Sequence, residues 1–133
     1  NLAGGNAVKT AAKVATDLGV PMRVVYLSNA EEYFRYTTDY RENIRSIKGD
    51  DKTTVLRTIY NKEWVHADSL WAYQVQRLSD FQTRLADTKN RSRNPMFRYA
   101  TQEKVLDRDT GVKGLSLLGG GLKRPGDLKA DPG

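Results

Sequence analysis

The side chains with the clearest potential for chemistry follow directly after a short, strongly apolar segment. Ser28 and Asn29 come after the run MRVVYL, and Glu31, Glu32 and Tyr33 come next. In open α/β sheets, ligands bind at the carboxyl ends of the strands. The order of these residues therefore predicts a ligand site. In it, Asn29 would orient a polar ligand, and a buried glutamate could act as a base.

The same residues also have a purely structural interpretation. Ser28 with Glu31, and Asn29 with Glu32, have the spacing of a helix N-cap with a reciprocal carboxylate. The glutamates would then favour the positive end of the helix that follows. The neighbouring aromatic residues, Tyr33, Phe34 and Tyr36, would either form a pocket wall or pack under the turn. The sequence leaves both interpretations open.

A second candidate site combines basic and aromatic residues, which is the combination that single-stranded nucleic acid requires. Its members lie within residues 89–99: Lys89, Arg91, Arg93, Phe97, Arg98 and Tyr99. The alternative is a solvated basic strap that packs its aromatic rings on the rest of the chain.

Two further patterns suggest chemistry less strongly. Asn94-Pro95-Met96-Phe97 is similar in letters to an amine-binding motif, but it follows KNRSR rather than a hydrophobic strand, and a turn is expected there. His66 and Asp68 would share one face of an extended segment. With one histidine and no cysteine, no metal site is expected.

Aromatic residues also alternate along the predicted strands. Trp64, Trp71 and Tyr73 have the spacing to stack on a planar ligand, but a core position is expected for them. No motif identifies a catalytic residue, so the sequence does not decide whether the chain is an enzyme.

Composition limits the class of protein. The net charge of +6 lies mostly in residues 88–133, which carry +5, so the basic character belongs to this part of the chain. No apolar run approaches the roughly 20 residues that span a bilayer. The absence of cysteine fits a reducing compartment and suggests the cytoplasm. A removed signal peptide stays open as the alternative, because the chain begins at Asn1 without Met.

Periodicity and turn signals predict the elements that position these residues. Helices are expected at residues 6–18, from about residue 37 to Gly49, at 79–87 and around 102–106. Strands are expected at 22–27, 53–60 and 69–76. Capping boxes are expected at Ser28 or Asn29, at Asp39 with Glu42, and at Ser79 with Gln82. The strand at 22–27 has one charge and a β-branched middle, which is typical of a strand covered on both faces.

These elements predict an α/β fold, a partial Rossmann-like, three-layer sheet with helices, followed by a mostly irregular basic tail. Residues 1–87 would form the C-terminal half of a Rossmann-like domain, 88–118 a basic strap or extension, and 119–133 a flexible Gly/Pro-rich tail.

The segments GVPMRVVYLSNAEEYF, YRENI, TTVLRTI and YQVQRLSDF resemble an uncharacterised bacterial family with a class I methyltransferase-like core, over roughly residues 4–87. The resemblance implies that a longer N-terminal half precedes this region and holds the glycine-rich turn for S-adenosylmethionine, so no cofactor is assigned to this chain. The strand at 22–27 is then expected to pair with sheet from outside these 133 residues, either that half or another protein chain.

The resemblance places SNAEEYF at the substrate-side loop of methyltransferases. In amine-methylating enzymes this loop carries prolines that are not found at residues 28–34. The chain is therefore expected to be the ligand- or substrate-side part of a methyltransferase-like protein. The alternatives are a non-enzymatic binding or interaction module, or a nucleic-acid-associated protein that uses residues 89–99.

Overall fold

The chain has the predicted α/β fold in a computed structural model that describes residues 7–20, 22–60 and 71–128. No helix in these ranges is both long and apolar enough to cross a bilayer. The elements, in chain order, are α1 (Ala7–Asp17), β1 (Met22–Ser28), a 3₁₀ turn (Ala30–Glu32), α2 (Thr38–Arg45), β2 (Gly49–Tyr60), β3 (Trp71–Arg77), α3 (Leu78–Ala86), α4 (Arg93–Gln102), β4 (Leu106–Asp107), β5 (Leu115–Leu118) and a second 3₁₀ turn (Pro125–Asp127).

The five strands form one open sheet in the order β1-β2-β3-β5-β4. β1 runs parallel to β2, and β3 runs antiparallel to β2. β5 is parallel to β3, and the two-residue β4 pairs antiparallel with β5 at the far edge. The carboxyl ends of β1 and β2 therefore lie at the same edge of a partial Rossmann-like sheet, which is where this class of fold binds ligands.

The helices pack on one face of the sheet. Val55 of β2 and Leu27 of β1 lie in the same hydrophobic cluster as the buried side chains of α2, α3 and α4, and Val8 of α1 packs against that cluster. Side chains on the opposite face, such as Leu56 and Val75, are only half-buried. The core that the described helices share therefore lies on one face of the sheet.

The prediction that β1 is covered on both faces is wrong. β1 is an edge strand, and within the described residues it pairs with β2 alone. Val24 and Tyr26 are 60% and 59% exposed, whereas Leu27 is buried. Because successive side chains of a strand point to opposite faces, one set enters the core and the other remains open. A run of apolar residues here marks an edge strand rather than a central one.

Residues 88–118, predicted as a basic strap or extension, form more regular structure than was expected, with one helix and two strands. Met96 and Ala100 of α4 are fully buried in the same cluster as Leu27 and Val55. β5 is inserted between β3 and β4, and its Leu118 is fully buried. The helix expected around residues 102–106 lies instead at Arg93–Gln102. Residues 88–118 therefore complete the core that residues 27–85 begin.

The predicted flexible tail is held by its own chain as far as the structure describes it. Arg77 donates a hydrogen bond from Nη2 to the carbonyl of Gly121 at 2.6 Å, and Arg124 pairs with Asp107 at 2.8 Å. Residues 129–133, the end of the predicted tail, lie outside the described residues.

The bounds of α3 agree with the prediction to within one residue, whereas α2 ends at Arg45, before the predicted Gly49, and the capping box predicted at Asp39 with Glu42 does not form. Thr37 caps α2 by accepting a hydrogen bond from the Tyr40 amide at 3.1 Å, close to the predicted start. The capping box predicted at Ser79 does not form, since α3 begins at Leu78 and its N-cap residue makes no side-chain cap. Gln82 instead donates to the carbonyls of Ile44 and Ile47, at 3.0 Å each, and so fastens α3 to the end of α2.

Candidate ligand-binding site

The five residues predicted to bind a ligand take three different environments at the carboxyl end of β1. Glu31 is buried, Glu32 is half-buried and Tyr33 is 76% exposed. Ser28 ends β1 with φ at +52°, and Asn29 precedes the 3₁₀ turn. The turn thus directs adjacent side chains to the core, to a cavity and to solvent.

The capping interpretation of this turn is wrong. Asn29 has φ −102° and ψ 17°, which is not the extended backbone of an N-cap, and its side chain caps no amide. It donates from Nδ2 to the Tyr33 hydroxyl at 3.3 Å. Glu31 makes no reciprocal cap because its carboxylate is directed into the core.

Glu31 forms a buried ion pair with Arg57 of β2. Arg57 Nε donates to Glu31 Oε2 at 2.6 Å, and the two side chains are 1% and 2% exposed. The hydroxyls of Tyr36 and Tyr40 donate to the other carboxylate oxygen, Oε1, at 2.8 and 3.1 Å. Three donors therefore occupy both oxygens of this carboxylate, which makes it a fixed hydrogen-bond acceptor within the core.

The sheet supplies acceptors for the other side of the Arg57 guanidinium. Nη1 donates to the side-chain oxygens of Gln74 at 3.2 Å and Gln76 at 2.8 Å. Gln74 is the register partner of Arg57, and Gln76 lies two residues along the same face. The guanidinium carbon lies 4.7 Å from the centre of the Phe81 ring. Nη2 has no hydrogen-bond partner among the described residues.

The buried phenols of Tyr36 and Tyr40 make the free energy of unfolding depend on pH in the alkaline range. Burial, with the Glu31 carboxylate beside them, raises the pKa of Tyr36 and Tyr40 above the ordinary value of 10.0. Their contribution to stability is therefore present below pH of about 10 and is lost as the pH rises beyond it.

We expect the free energy of unfolding to fall more steeply above pH 10 in the wild type than in Tyr36→Phe, by up to about 1.4 kcal/mol per pH unit. Urea unfolding from pH 8 to 11 measures both slopes, and equal slopes would contradict the assignment.

A cavity of about 350 Å³ lies between the 3₁₀ turn and the start of α4. Glu31, Glu32 and Tyr33 of the predicted site line it, whereas Ser28 and Asn29 do not. The remaining lining residues are Phe34, Arg35, Ser92, Arg93 and Asn94. The structure therefore joins part of the predicted ligand site to residues from the predicted basic segment.

One ion pair joins the two walls of this cavity. Arg93 Nη1 donates to Glu32 Oε1 at 2.7 Å, and the Tyr60 amide donates to the same oxygen at 3.1 Å. Arg93 Nε is buried without a hydrogen-bond partner among the described residues. Both lining carboxylates are thus matched by an arginine, Glu31 by Arg57 and Glu32 by Arg93.

Several donors at the cavity have no acceptor in the described part of the chain. Arg35 is exposed and pairs with no described carboxylate. Ser92 precedes α4 without capping it through its side chain. The amide groups at the start of a helix carry a partial positive charge. Arg35 and the start of α4 are therefore donors at the cavity that the described part of the chain leaves available to a ligand.

The predicted nucleic-acid residues do not form one basic face with free rings. Phe97 lies with its ring 5.9 Å from the guanidinium of Arg57 and 5.7 Å from that of Arg93. Lys89 lies 4.8 Å above the Tyr99 ring and pairs with Asp87 at 3.4 Å. Arg91 and Arg98 are exposed. The aromatic rings that were expected to stack on bases are thus already in contact with cations of the chain.

The turn predicted at Asn94-Pro95-Met96-Phe97 does not form, because these residues belong to the first half of α4. Asn94 lines the cavity, and Met96 is fully buried.

Trp71 and Tyr73 are half-buried on the sheet face opposite the core cluster. Trp64, His66 and Asp68 lie outside the described residues. Within the described residues, no group of acidic, histidine or cysteine side chains could hold a metal ion.

Sequence reasoning missed the buried polar centre around Arg57. The available signals were an arginine inside the apolar run TTVLRTIY and glutamines alternating with small or apolar residues in AYQVQ. Polar residues at alternate positions of a strand lie on one face, and here that face is the buried one.

The comparisons with known proteins identify a family but no function for it. A family model described as a domain of unknown function (DUF7790) matches residues 1–119. No curated protein matches the chain. The matched range includes α4, β4 and β5 as well as the earlier elements.

Proposed function

We propose that this chain, which belongs to the family of domains of unknown function DUF7790, is a ligand-binding unit for a small molecule that carries an anionic group. The observation that carries the proposal is the cavity of about 350 Å³ at the carboxyl end of β1. Its lining carboxylates are matched by arginines, while Arg35 and the start of α4 remain as free donors. A carboxylate or phosphate group would accept hydrogen bonds from these donors.

The buried ion pair favours binding over catalysis. Glu31 is fixed by Arg57, Tyr36 and Tyr40, and Glu32 is held by Arg93. Both oxygens of Glu31 are occupied, so this carboxylate is not left free to act as a general base. In this proposal Glu31 and Arg57 hold the floor of the cavity in one conformation, and preorganisation of this kind lowers the entropic cost of binding.

We further propose that the unit supplies the ligand or substrate side of a methyltransferase-like protein, as the resemblance of residues 4–87 suggests. The described turn after β1 does not fit S-adenosylmethionine itself. Ser28, Asn29 and Ala30 include no glycine, and nucleotide cofactors approach the backbone of glycine-rich turns. No methyl-transfer step is derived from these residues.

Isothermal titration calorimetry with phenyl phosphate tests the proposal, with phenol as the uncharged control. We expect phenyl phosphate to bind and phenol not to bind measurably. Arg35→Ala should weaken binding by about tenfold or more, since a hydrogen bond to a charged group contributes about 1.5–3 kcal/mol.

The matched control is Arg91→Ala, because Arg91 is exposed like Arg35 but does not line the cavity. Its affinity should remain within about twofold of the wild type. Equal losses in Arg35→Ala and Arg91→Ala would show only a general attraction between a basic surface and an anion, and would contradict the proposal.

A further inference from the structure

Among the residues that the structure describes, the edge of the sheet at β1 is open, whereas the opposite edge is short and partly covered. β1 is seven residues long, and on its outer side no described strand pairs with it. Val24 and Tyr26 are about three-fifths exposed, and both line a groove of about 170 Å³ between α1 and β1. At the other edge, β4 has two residues, and its Asp107 is paired with Arg124. Long, apolar edge strands are templates for pairing with another strand.

We infer that β1 pairs with β1 of a second copy of this chain, antiparallel and about a two-fold axis at Val25. This register sets Val24 opposite the partner's Tyr26 and repeats the same contact across the axis. The two most exposed apolar side chains of the strand then cover each other. A β-branched residue opposite an aromatic one is a favourable cross-strand pair.

The two-fold axis selects this orientation over the parallel one, because an axis perpendicular to the sheet sets the two edge strands antiparallel. Arg23 is the one charged residue of β1, and it forms an ion pair with Asp50 of its own chain. In the antiparallel register Arg23 faces the partner's Leu27, and the two arginines lie at opposite ends of the pair. An isologous contact of this kind closes as a dimer.

Light scattering after size-exclusion chromatography tests the inference on the full chain, over a dilution series from about 1 µM to about 1 mM. We expect a mass of twice the 15.0 kDa monomer at the higher concentrations. Val24→Lys and Tyr26→Lys should each raise the dimer dissociation constant by about tenfold or more, because each places a charge inside the pairing. Val112→Lys, at an exposed apolar position before β5, is the control and should dimerise like the wild type.

Cross-linking tests the register independently. The sequence has no cysteine, so Val25→Cys introduces a single thiol at the proposed axis. Oxidation should link two copies through this position, whereas Val112→Cys should remain unlinked. A wild type that is monomeric at every concentration, or a dimer that both lysine variants leave intact, would overturn the inference. Either result would leave the ligand site untouched, since that site lies at the end of β1 and not along its edge.

Discussion

Glu31→Ala is expected to lower the free energy of unfolding by about 3–5 kcal/mol. The substitution leaves the Arg57 guanidinium buried without its carboxylate partner, and Nη2 of that group already lacks a hydrogen-bond acceptor among the described residues. The Tyr36 and Tyr40 hydroxyls lose their acceptor at the same time. Urea unfolding followed by circular dichroism measures the loss.

The control is Asp17→Ala, which removes an exposed ion pair with Lys13. That loss should stay below about 1 kcal/mol, since solvent screens exposed pairs. Replacing both buried partners, in Glu31→Leu with Arg57→Met, should recover part of the stability lost in Glu31→Ala, because no buried charge is then left unpaired, while the Tyr36 and Tyr40 hydroxyls still lack their acceptor. A loss below about 1 kcal/mol in Glu31→Ala would show that Arg57 does not depend on this carboxylate.

Met96→Ala is expected to lower the free energy of unfolding by about 2–5 kcal/mol, the usual cost of removing a fully buried large side chain. Met96 lies in α4, is fully buried, and belongs to the same hydrophobic cluster as Leu27 and Phe81. The same urea unfolding experiment measures this loss, and one cooperative transition is expected because the cluster is shared.

Val112→Ala is the control for this position, since Val112 is 39% exposed. Its effect should lie within about 0.5 kcal/mol. A loss of that small size in Met96→Ala, or a separate early transition for residues 88–118, would restore the interpretation of this part of the chain as a loosely attached strap.

The sequence was sufficient for the elements whose signals are local. The apolar run before Ser28, the pair Tyr40 and Ile44, and the pair Phe81 and Leu85 all lie in the predicted kind of element, whereas Ile47 lies beyond the end of α2. These signals depend on residues within one or two turns of each other. They predict a helix or strand without information about its neighbours.

The features that the sequence did not predict depend on contacts between residues that are distant along the chain. Glu31 and Arg57 are 26 positions apart and meet because β1 and β2 are parallel neighbours, so a capping box was the simpler local interpretation. β5 has four residues, and its pairing is with β3, about 40 positions earlier. α4 is short, has a proline in its first turn, and buries only two of its residues, Met96 and Ala100. Neither element carries enough periodicity to be predicted alone.

The candidate site shows the same division. Glu31, Glu32 and Tyr33 were predicted from their place after a strand, and they do line the cavity. The opposite wall, Ser92 to Asn94, belongs to a segment that was assigned to nucleic-acid binding or to a turn. Only the packing of α4 beside the turn brings the two walls together.

The most direct test of the proposed ligand site is a nuclear magnetic resonance titration of the ¹⁵N-labelled chain with phenyl phosphate. The proposal predicts amide shift changes that saturate and that centre on residues 31–35 and 92–94, the two walls of the cavity. The absence of saturable changes, or changes centred on the exposed Arg91 and Arg98 instead, would contradict it.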